Sequence, residues 1–232
     1  MSWSFLKMNL LAIETATETC SVALSVNGAV LERFEHAPRQ HAELLLPWVG
    51  QLLADAGLAY ASIDAIAFSR GPGSFTSLRI GIGVVQGLAW ASDRPVIPIS
   101  SLAATAQSVA GQGVDVALVA LDARMNEVFT GLFEANENGI MLPVAAETVC
   151  PPEDVKAPVA AKTFGIGNGF ARYEALGALS AQLCGVRADA WPRASSVLQL
   201  AQEWLKSNEP LAAEQAQPVY LRDDVAKKEQ DR

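Results

Sequence analysis

A glycine-rich string from Gly71 to Gly83 carries the clearest ligand-binding pattern in the sequence. It follows an apolar stretch, residues 63–69, that predicts a buried strand, and it leads into a helical pattern that ends near residue 91. A helix N-terminus presents free N–H groups that accept anions, and Gly71 and Gly73 would let a phosphate approach the backbone. Ser74 is a natural N-cap. Spacing alone favours a plain strand-to-helix turn, because the string matches neither of the common phosphate-binding loops.

Three other segments hold groups that could line a phosphate or nucleotide cleft. The loop 14–19 carries hydroxyls and a carboxylate, although taken alone it is better explained as a hairpin loop satisfied by its threonines. The glycine-rich turn 165–169 is a weak nucleotide signal that a plain turn explains equally well. Arg79 and Arg124 are well-placed cations, and each could instead be a surface arginine. The candidate cleft residues are Glu14, Thr15, Thr17, Gly71, Gly73, Arg79, Arg124 and Gly167.

The histidines and cysteines exclude several kinds of catalytic centre. His36 and His41 are the only histidines, and no Ser-His-Asp or Cys-His set can be drawn with two so close together. The three cysteines are scattered, which indicates reduced thiols. They include no C-x-x-C pair, and a metal site formed by thiolates is therefore not expected. His41 precedes a helical pattern and could contact a ligand or partner, but a capping or solvent-edge role is the better expectation.

The composition indicates a compact globular protein. The 232 residues allow one or two domains, half of them are hydrophobic and 18% are charged. The net charge of −8 argues against unaided nucleic-acid binding. No apolar stretch approaches the roughly 20 residues of a membrane span, and the first seven residues do not resemble a signal peptide. We therefore expect a cytoplasmic protein without a membrane partner.

Element patterns predict two lobes. Up to residue 110 the order is three strands, helix, strand, helix, strand and helix, which gives a mixed sheet with helices packed on it. Residues 111–113 form a predicted joint, and residues 111–222 a smaller lobe with strands near 114–121, 127–134 and 163–166. Residues 143–158 are expected to be irregular, and a helix capped by Ser195 or Ser196 should span 195–207. The tail 223–232 is expected to be disordered.

Two helices have more apolar or small surface than one buried face requires. The helix 42–56 is apolar around more than one stripe, which suggests a second burial surface. The helix 74–91 carries Gly83, Gly87 and Ala91 at four-residue spacing, which lets another helix approach. Close packing on the chain's own sheet would explain the glycines equally well. The residues predicted to bind a partner are His41, Leu44, Leu45, Trp48, Leu52, Leu78, Gly83 and Gly87.

Five segments together make the sequence resemble the TsaB family, also called YeaZ. They are residues 11–17, 39–47, 71–83, 122–129 and 218–222, which span nearly the whole chain. The resemblance implies an α/β actin-like ATPase fold, in which two ribonuclease-H-like lobes each hold a mixed sheet flanked by helices.

The resemblance also implies a function. Proteins of this family act as the small partner subunit in the synthesis of threonylcarbamoyladenosine (t6A) at position 37 of tRNA. The implied partners are TsaD, which binds the two helices above, and the ATPase TsaE, which joins through the complex. A homodimer is expected when the chain is alone, tRNA contact is indirect, and no cofactor is expected beyond weak ATP or ADP binding.

A departure from the transferase pattern implies a non-catalytic chain without a metal. The metal-binding helix of TsaD has the form Asn-His-x-Glu-Gly-His, and the matching positions here are Ser101, Ala103 and Thr105. Hydroxyls are poor ligands for a divalent transition metal. The rival interpretation is an independent ATP-dependent phosphotransferase or a peptidase. Both are disfavoured, because the first loop lacks the glycine of active kinases and no His-Glu-x-x-His motif is present.

Overall fold

A computed structural model describes residues 8–158 and 162–222 of the chain. The predicted disordered tail, 223–232, lies outside the described residues. The first of the two sheets in the structure has the strand order β3-β2-β1-β4-β5. These strands are β1 Leu10–Glu14, β2 Thr19–Val26, β3 Ala29–His36, β4 Ala65–Gly71 and β5 Val96–Ser100. The continuous apolar run of β1 is fully buried, which places this strand at the centre of the sheet.

The hairpins and helices of the first half follow the predicted order. Asn27 and Gly28 both have positive φ in the β2–β3 turn, which is the backbone that a two-residue hairpin requires. Helices α1 (His41–Asp55) and α2 (Phe75–Ser92) pack mainly on β2 and β4 respectively, and contact each other. Gly57, at φ +65°, follows the end of α1 in the left-handed conformation that favours glycine.

The second sheet repeats the topology of the first. Its order is β11-β10-β6-β7-β8, with β9 also paired to β7. In both sheets the central strand pairs with an antiparallel neighbour on one side and a parallel one on the other. These strands are β6 Val116–Asp122, β7 Val128–Ala135, β8 Met141–Pro143, β9 Thr148–Cys150, β10 Thr163–Ile166 and β11 Gly185–Arg187. Two mixed sheets flanked by helices confirm the predicted fold class.

Several elements of the second half differ from the prediction. Residues 143–158, expected to be irregular, hold the end of β8 and all of β9. The short helices α4 (Gly169–Arg172) and α5 (Glu174–Leu179) and strand β11 were not predicted, because three to six residues are too few to show a period. Helix α3 spans Ser101–Gln107, and the Ser100 hydroxyl caps it by accepting the N–H groups of Leu102 and Ala103.

Helix α6 (Ala194–Trp204) connects the two halves. Neither Ser195 nor Ser196 caps it, because the N-cap position is Arg193. Instead, groups from the first sheet accept its first N–H groups: Ser21 Oγ accepts from Ala194 and Glu32 Oε1 from Ser195, each at 3.0 Å. The helix consequently contacts β1 and β2, although it follows the second sheet in the chain.

One apolar core spans both sheets. Leu10 and Ala12 of β1 belong to the same buried cluster as Val119 of β6 and Phe133 of β7. Helices α3 and α6 contribute the side chains that join these strands. The boundary predicted between residues 110 and 111 stays a prediction, because the packing itself is continuous across the two lobes. No helix among the described residues has the length and apolarity needed to cross a bilayer.

Candidate functional site

A cleft of about 590 Å³ lies between the two sheets. Its walls come from the β1–β2 loop, the start of α2, the β6–β7 loop and Asn168 after β10. These segments follow the carboxyl ends of β1, β4, β6 and β10, which is where ligands bind in α/β sheets. Of the predicted cleft residues, Thr17, Gly73 and Arg124 line this cleft.

Glu14 lies buried beside the cleft at the end of β1. One of its carboxylate oxygens accepts the N–H of Ala16, while Oε2 is buried without a hydrogen-bond partner. Burial raises the pKa of Glu14 from 4.5 to about 7, against the opposing hydrogen bonds from Ala16 and Ser69. Glu14 therefore holds a proton in the folded chain at pH values where an exposed glutamate is ionised.

Glu14→Gln should change how stability depends on pH. The raised pKa means that the folded wild-type chain binds more protons than the unfolded chain between pH 4.5 and about 7. The contribution of Glu14 to the free energy of unfolding therefore falls by about 3 kcal/mol as the pH rises through that window, and it is constant above the window. The glutamine variant lacks this term. Urea unfolding at several pH values measures the free energies of unfolding of the wild type and of Glu14→Gln. As pH rises, the wild type should lose stability relative to the variant. Glu43→Gln, at an exposed position, serves as the control and should show no such change. A difference that does not vary with pH would contradict the assigned burial of Glu14.

The β1–β2 loop is pressed against the start of α2. The Ser74 N–H donates to Ala16 O at 2.8 Å, and a Cβ on Gly73 would overlap with that same carbonyl. The Thr15 hydroxyl donates to Ser77 O at 3.0 Å, and a Cβ on Gly81 would overlap with this hydroxyl. Gly73 and Gly81 are thus required for the loop to approach the helix.

This contact uses part of the predicted anion-accepting helix end. Ser74 occupies the N-cap position, but its hydroxyl makes no capping bond and accepts instead from the Ser77 hydroxyl at 3.0 Å. The N–H groups of Phe75, Thr76 and Ser77 have no acceptor among the described residues, and all three line the cleft. These three N–H groups could therefore still bind an anion, but the nearby carbonyl oxygen of Ala16 would repel it.

Asp122 organises the opposite wall of the cleft. Its Oδ1 accepts the Arg124 N–H at 3.0 Å and the Tyr173 hydroxyl at 2.6 Å, and its Oδ2 lies 3.3 Å from a guanidinium nitrogen of Arg124. Burial and the bond to Asp122 raise the pKa of Tyr173. Arg124, Met125 and Asn126 all have left-handed backbone, with φ between 54° and 62°, which is unfavourable for residues other than glycine. Asp122 therefore helps to hold a strained turn at the cleft.

The segment 211–222 runs back along the first sheet and ends on this turn. It pairs with β5 at Leu211, and the Val219 N–H donates to Arg70 O at 2.8 Å. Arg222 then binds the Glu127 carboxylate, with Nε at 2.9 Å, and donates to Ala123 O at 3.2 Å. The segment thus ties the first sheet to the β6–β7 turn.

The remaining predicted cleft residues lie below or outside the cleft. Thr15, Gly71 and Gly167 are buried. Gly167 packs on the Ala120 backbone, from whose oxygen a Cβ would be 2.7 Å away. Arg79 was wrongly placed in the cleft: its guanidinium stacks on the Phe75 ring at 3.5 Å and its Nε donates to the Tyr220 hydroxyl. This outer position follows from helix geometry, because Phe75 and Arg79 are four residues apart.

The two helices expose a second candidate surface, which we call the α1–α2 face. It combines exposed glycines and large apolar side chains with partly buried ones between the helices. Its members are Leu46, Pro47, Ile80, Gly83, Val84, Gly87, Leu88 and Trp90. Trp90 is 78% exposed and Leu46 is 49% exposed, and nothing lies within 4 Å of a Cβ added to Gly83 or Gly87. The glycines of this face are therefore not explained by packing within the chain.

Four of the predicted partner-binding residues are corrected by the structure. They are buried inside the chain, at 1% exposure or less: His41, Leu45, Leu52 and Leu78. Leu45 and Leu52 pack on the first sheet, and Leu78 lies beside Gly71 at the end of β4. His41 Nε2 lies 3.1 Å from both Thr17 O and Thr19 O, so the ring holds the β1–β2 loop. Leu44 and Trp48 are partly buried, and Gly83 and Gly87 are exposed.

Several cleft residues were not among those predicted, and five of them have side chains that could contact a ligand. They are Arg39, Asp122, Asn168, Trp191 and Arg222. Arg39, Asp122 and Arg222 lie within segments that carry the family resemblance, which was the available signal. Asn168 lies in the glycine-rich turn, where its Oδ1 accepts the Asp122 N–H at 2.9 Å. Trp191 had no sequence signal.

A metal site was not expected from the sequence. Among the described residues, no group of three or more His, Cys, Asp or Glu side chains could hold a metal ion. The absence of a bound metal from the purified protein stays a prediction.

Comparisons with known proteins decide the family. The chain is 39% identical over 223 residues to the tRNA threonylcarbamoyladenosine biosynthesis protein TsaB of Escherichia coli K12, covering 94% of this chain and 96% of that protein. The chain belongs to the TsaB family. The TsaB protein of Haemophilus influenzae is 38% identical, with 94% of this chain and 95% of that protein covered.

Structural and family-model matches agree with this assignment. A solved structure of YeaZ from Pseudomonas aeruginosa is 45% identical, has a TM-score of 0.86 and covers 92% of this chain and 100% of its own. The family model described as TsaD, tRNA N6-adenosine threonylcarbamoyltransferase, matches residues 34–230. The predicted resemblance is confirmed, and the chain is a TsaB-family member related to the transferase family.

Proposed function

We propose that the chain is a non-catalytic partner subunit for t6A formation at position 37 of tRNA, acting in the cytoplasm. It binds a TsaD-type transferase through the α1–α2 face. The observation that carries this proposal is that face itself, where Gly83 and Gly87 leave open space beside exposed apolar side chains. Such surfaces mark interaction sites, and small residues let a partner helix approach closely.

Two observations support a role without catalysis, one on helix α3 and one in the cleft. The positions that match the transferase's histidines are Ser101 and Thr105, both buried, and the Thr105 hydroxyl donates to Ser101 O at 2.7 Å. The Ala16 carbonyl accepts the Ser74 N–H and so takes up part of the helix end. The cleft walls hold two carboxylates, Glu18 and Asp122, and three arginines, Arg39, Arg124 and Arg222. Two of these arginines are already engaged, because Arg124 pairs with both carboxylates and Arg222 with Glu127. We accordingly propose weak ATP or ADP binding at most.

The same face would also mediate self-association, and the other partners would join through the transferase. Without the transferase, two copies of the chain would cover their apolar residues by pairing the α1–α2 faces as a two-fold homodimer. A TsaE-type ATPase and the tRNA join through the transferase complex. The net charge of −8 supports indirect contact with tRNA, because phosphate binding needs cations.

Reconstitution tests the proposal. The purified chain, supplied with tRNA, threonine, bicarbonate and ATP, should form no t6A by nucleoside mass spectrometry. With the transferase, the ATPase and the enzyme that makes the carbamoylated adenylate, t6A should appear, and omitting only this chain should return it to background. Modification of tRNA by this chain alone would refute the non-catalytic role, and full activity without it would refute the partner role.

A further inference from the structure

A second cavity, of about 370 Å³, opens at the edge of the first sheet, on different residues from those of the cleft. It lies between β5, the start of α3, β8 and the end of α6. Its walls are mainly apolar and include Pro98, Ala103, Phe133, Met141, Leu200 and Trp204. Three charged side chains also line it: Arg70, Glu147 and Glu203. Glu203 is paired with Lys206, which leaves Arg70 and Glu147 as the two that form no ion pair within the described residues. We call this cavity the Arg70–Glu147 pocket.

Arg70 makes no direct ion pair, although its charge lies close enough to Glu147 to lower the pKa of that carboxyl group. It lies where the pairing of β4 with β5 is irregular, between Ser69 and Gly71. Its side chain makes no ion pair or hydrogen bond within the described ranges, and Nε is buried without an acceptor. A buried donor left unpaired is costly, and a carboxylate is the group that matches a guanidinium best.

Glu147 is held in place on the other side of the pocket. The Ser100 hydroxyl donates to its Oε1, while Ser100 Oγ itself accepts two N–H groups at the start of α3. The carboxyl group is therefore fixed by a rigid element. Burial raises its pKa, and the bond from Ser100 and the charge of Arg70 oppose this effect only in part, so a bound cation would lower the pKa further. Glu147 forms no ion pair with Arg70 or with any other described residue.

We propose that the Arg70–Glu147 pocket binds a small free α-amino acid with an apolar side chain. The ligand carboxylate would bind the Arg70 guanidinium, its ammonium group would bind Glu147, and its side chain would lie against the apolar walls. A zwitterion fits because it satisfies both fixed charges. An anion or a cation alone would satisfy one charge and be repelled by the other. A ligand of this size makes few contacts, and we expect a dissociation constant in the millimolar range.

Ligand analogues test this without altering the protein. L-leucine serves as the probe, compared with N-acetyl-L-leucine, which lacks the ammonium group, and L-leucinamide, which lacks the carboxylate. Binding is followed by the indole N–H signal of Trp204, assigned by its loss in Trp204→Phe. Leucine should shift this signal saturably, and each analogue should bind at least about tenfold more weakly, since each loses one charge-assisted contact. No saturation by leucine, or equal binding of the three compounds, would overturn the proposal.

Variants separate the pocket from unspecific binding. Arg70→Gln and Glu147→Gln should each weaken leucine binding at least about tenfold, whereas Arg187→Gln and Glu209→Gln, whose side chains lie outside the pocket, should leave it unchanged. Folding is checked by circular dichroism, and a variant that does not fold leaves the analogue series to decide. Leucine binding that survives in folded Arg70→Gln would refute the site. The outcome is independent of the proposed function, since the α1–α2 face contributes nothing to this pocket.

Discussion

Gly87→Leu is expected to abolish binding of the TsaD-type transferase while leaving the chain at least as stable as the wild type. Gly87 is exposed within α2, and a Cβ there meets nothing within 4 Å. Replacing a helix-interior glycine with leucine should therefore raise the free energy of unfolding by about 0.5–1 kcal/mol. At the α1–α2 face the same side chain would block close helix approach, at a cost of at least about 3 kcal/mol, or a hundredfold in affinity.

Two matched glycines make the result specific. Gly177→Leu alters another exposed helical glycine with open space, on α5 and away from the face, and should leave transferase binding unchanged. Gly81→Ala, six residues before Gly87, should destabilise the chain because its Cβ would overlap with the Thr15 hydroxyl. Calorimetric titration with the transferase, light scattering for the homodimer and urea unfolding measure the three effects. A Gly87→Leu chain that binds the transferase and dimerises at normal strength would place the partner surface elsewhere.

Two adjacent leucines of α1 should respond in opposite ways to the same substitution. Leu45 is completely buried against the first sheet, and Leu46 is 49% exposed. Leu45→Glu would bury a carboxylate in an apolar core and should lower the free energy of unfolding by about 4 kcal/mol or more, much of the stability of a typical domain. Leu46→Glu should change stability by no more than about 0.5 kcal/mol and should weaken transferase binding.

Urea unfolding and transferase titration on both variants distinguish core from surface. The expected pattern is a loss of folding for Leu45→Glu and a loss of binding in a folded Leu46→Glu chain. If Leu45→Glu folds with wild-type stability, the side chain does not lie in the core. If Leu46→Glu binds normally, α1 contributes less to the face than α2 does.

The difference between these two leucines also shows where sequence reasoning was insufficient. The period of apolar residues located α1 and α2 within a residue or two, because a helix repeats its faces every 3.6 residues. That period could not decide which of two apolar stripes faces the sheet. Leu45, Leu52 and Leu78 were therefore assigned to a partner surface, whereas they complete the chain's own core.

Contacts between distant segments were the other source of error. Hydroxyl residues at the start of α6 suggested a local cap, but its N–H groups are accepted by Ser21 and Glu32, more than 160 residues earlier. In the same way, the role of Asp122 depends on Tyr173, 51 residues later. Of the glycines predicted for the cleft, Gly73 lines it, whereas Gly71 and Gly167 are buried beside it. What approaches each glycine, such as Ala16 at Gly73, depends on the tertiary fold.

The buried cluster that the two sheets share has a consequence for how the chain loses its structure. Leu10 of the first sheet and Phe133 of the second belong to one buried cluster, together with α3 and α6. Each sheet also has a buried cluster of its own, but opening either sheet would expose the part of the other that lies in the shared cluster. We therefore expect the two sheets to unfold together, although the cleft divides the molecule in outline. Scanning calorimetry should accordingly record one heat-absorption peak whose calorimetric and van't Hoff enthalpies agree.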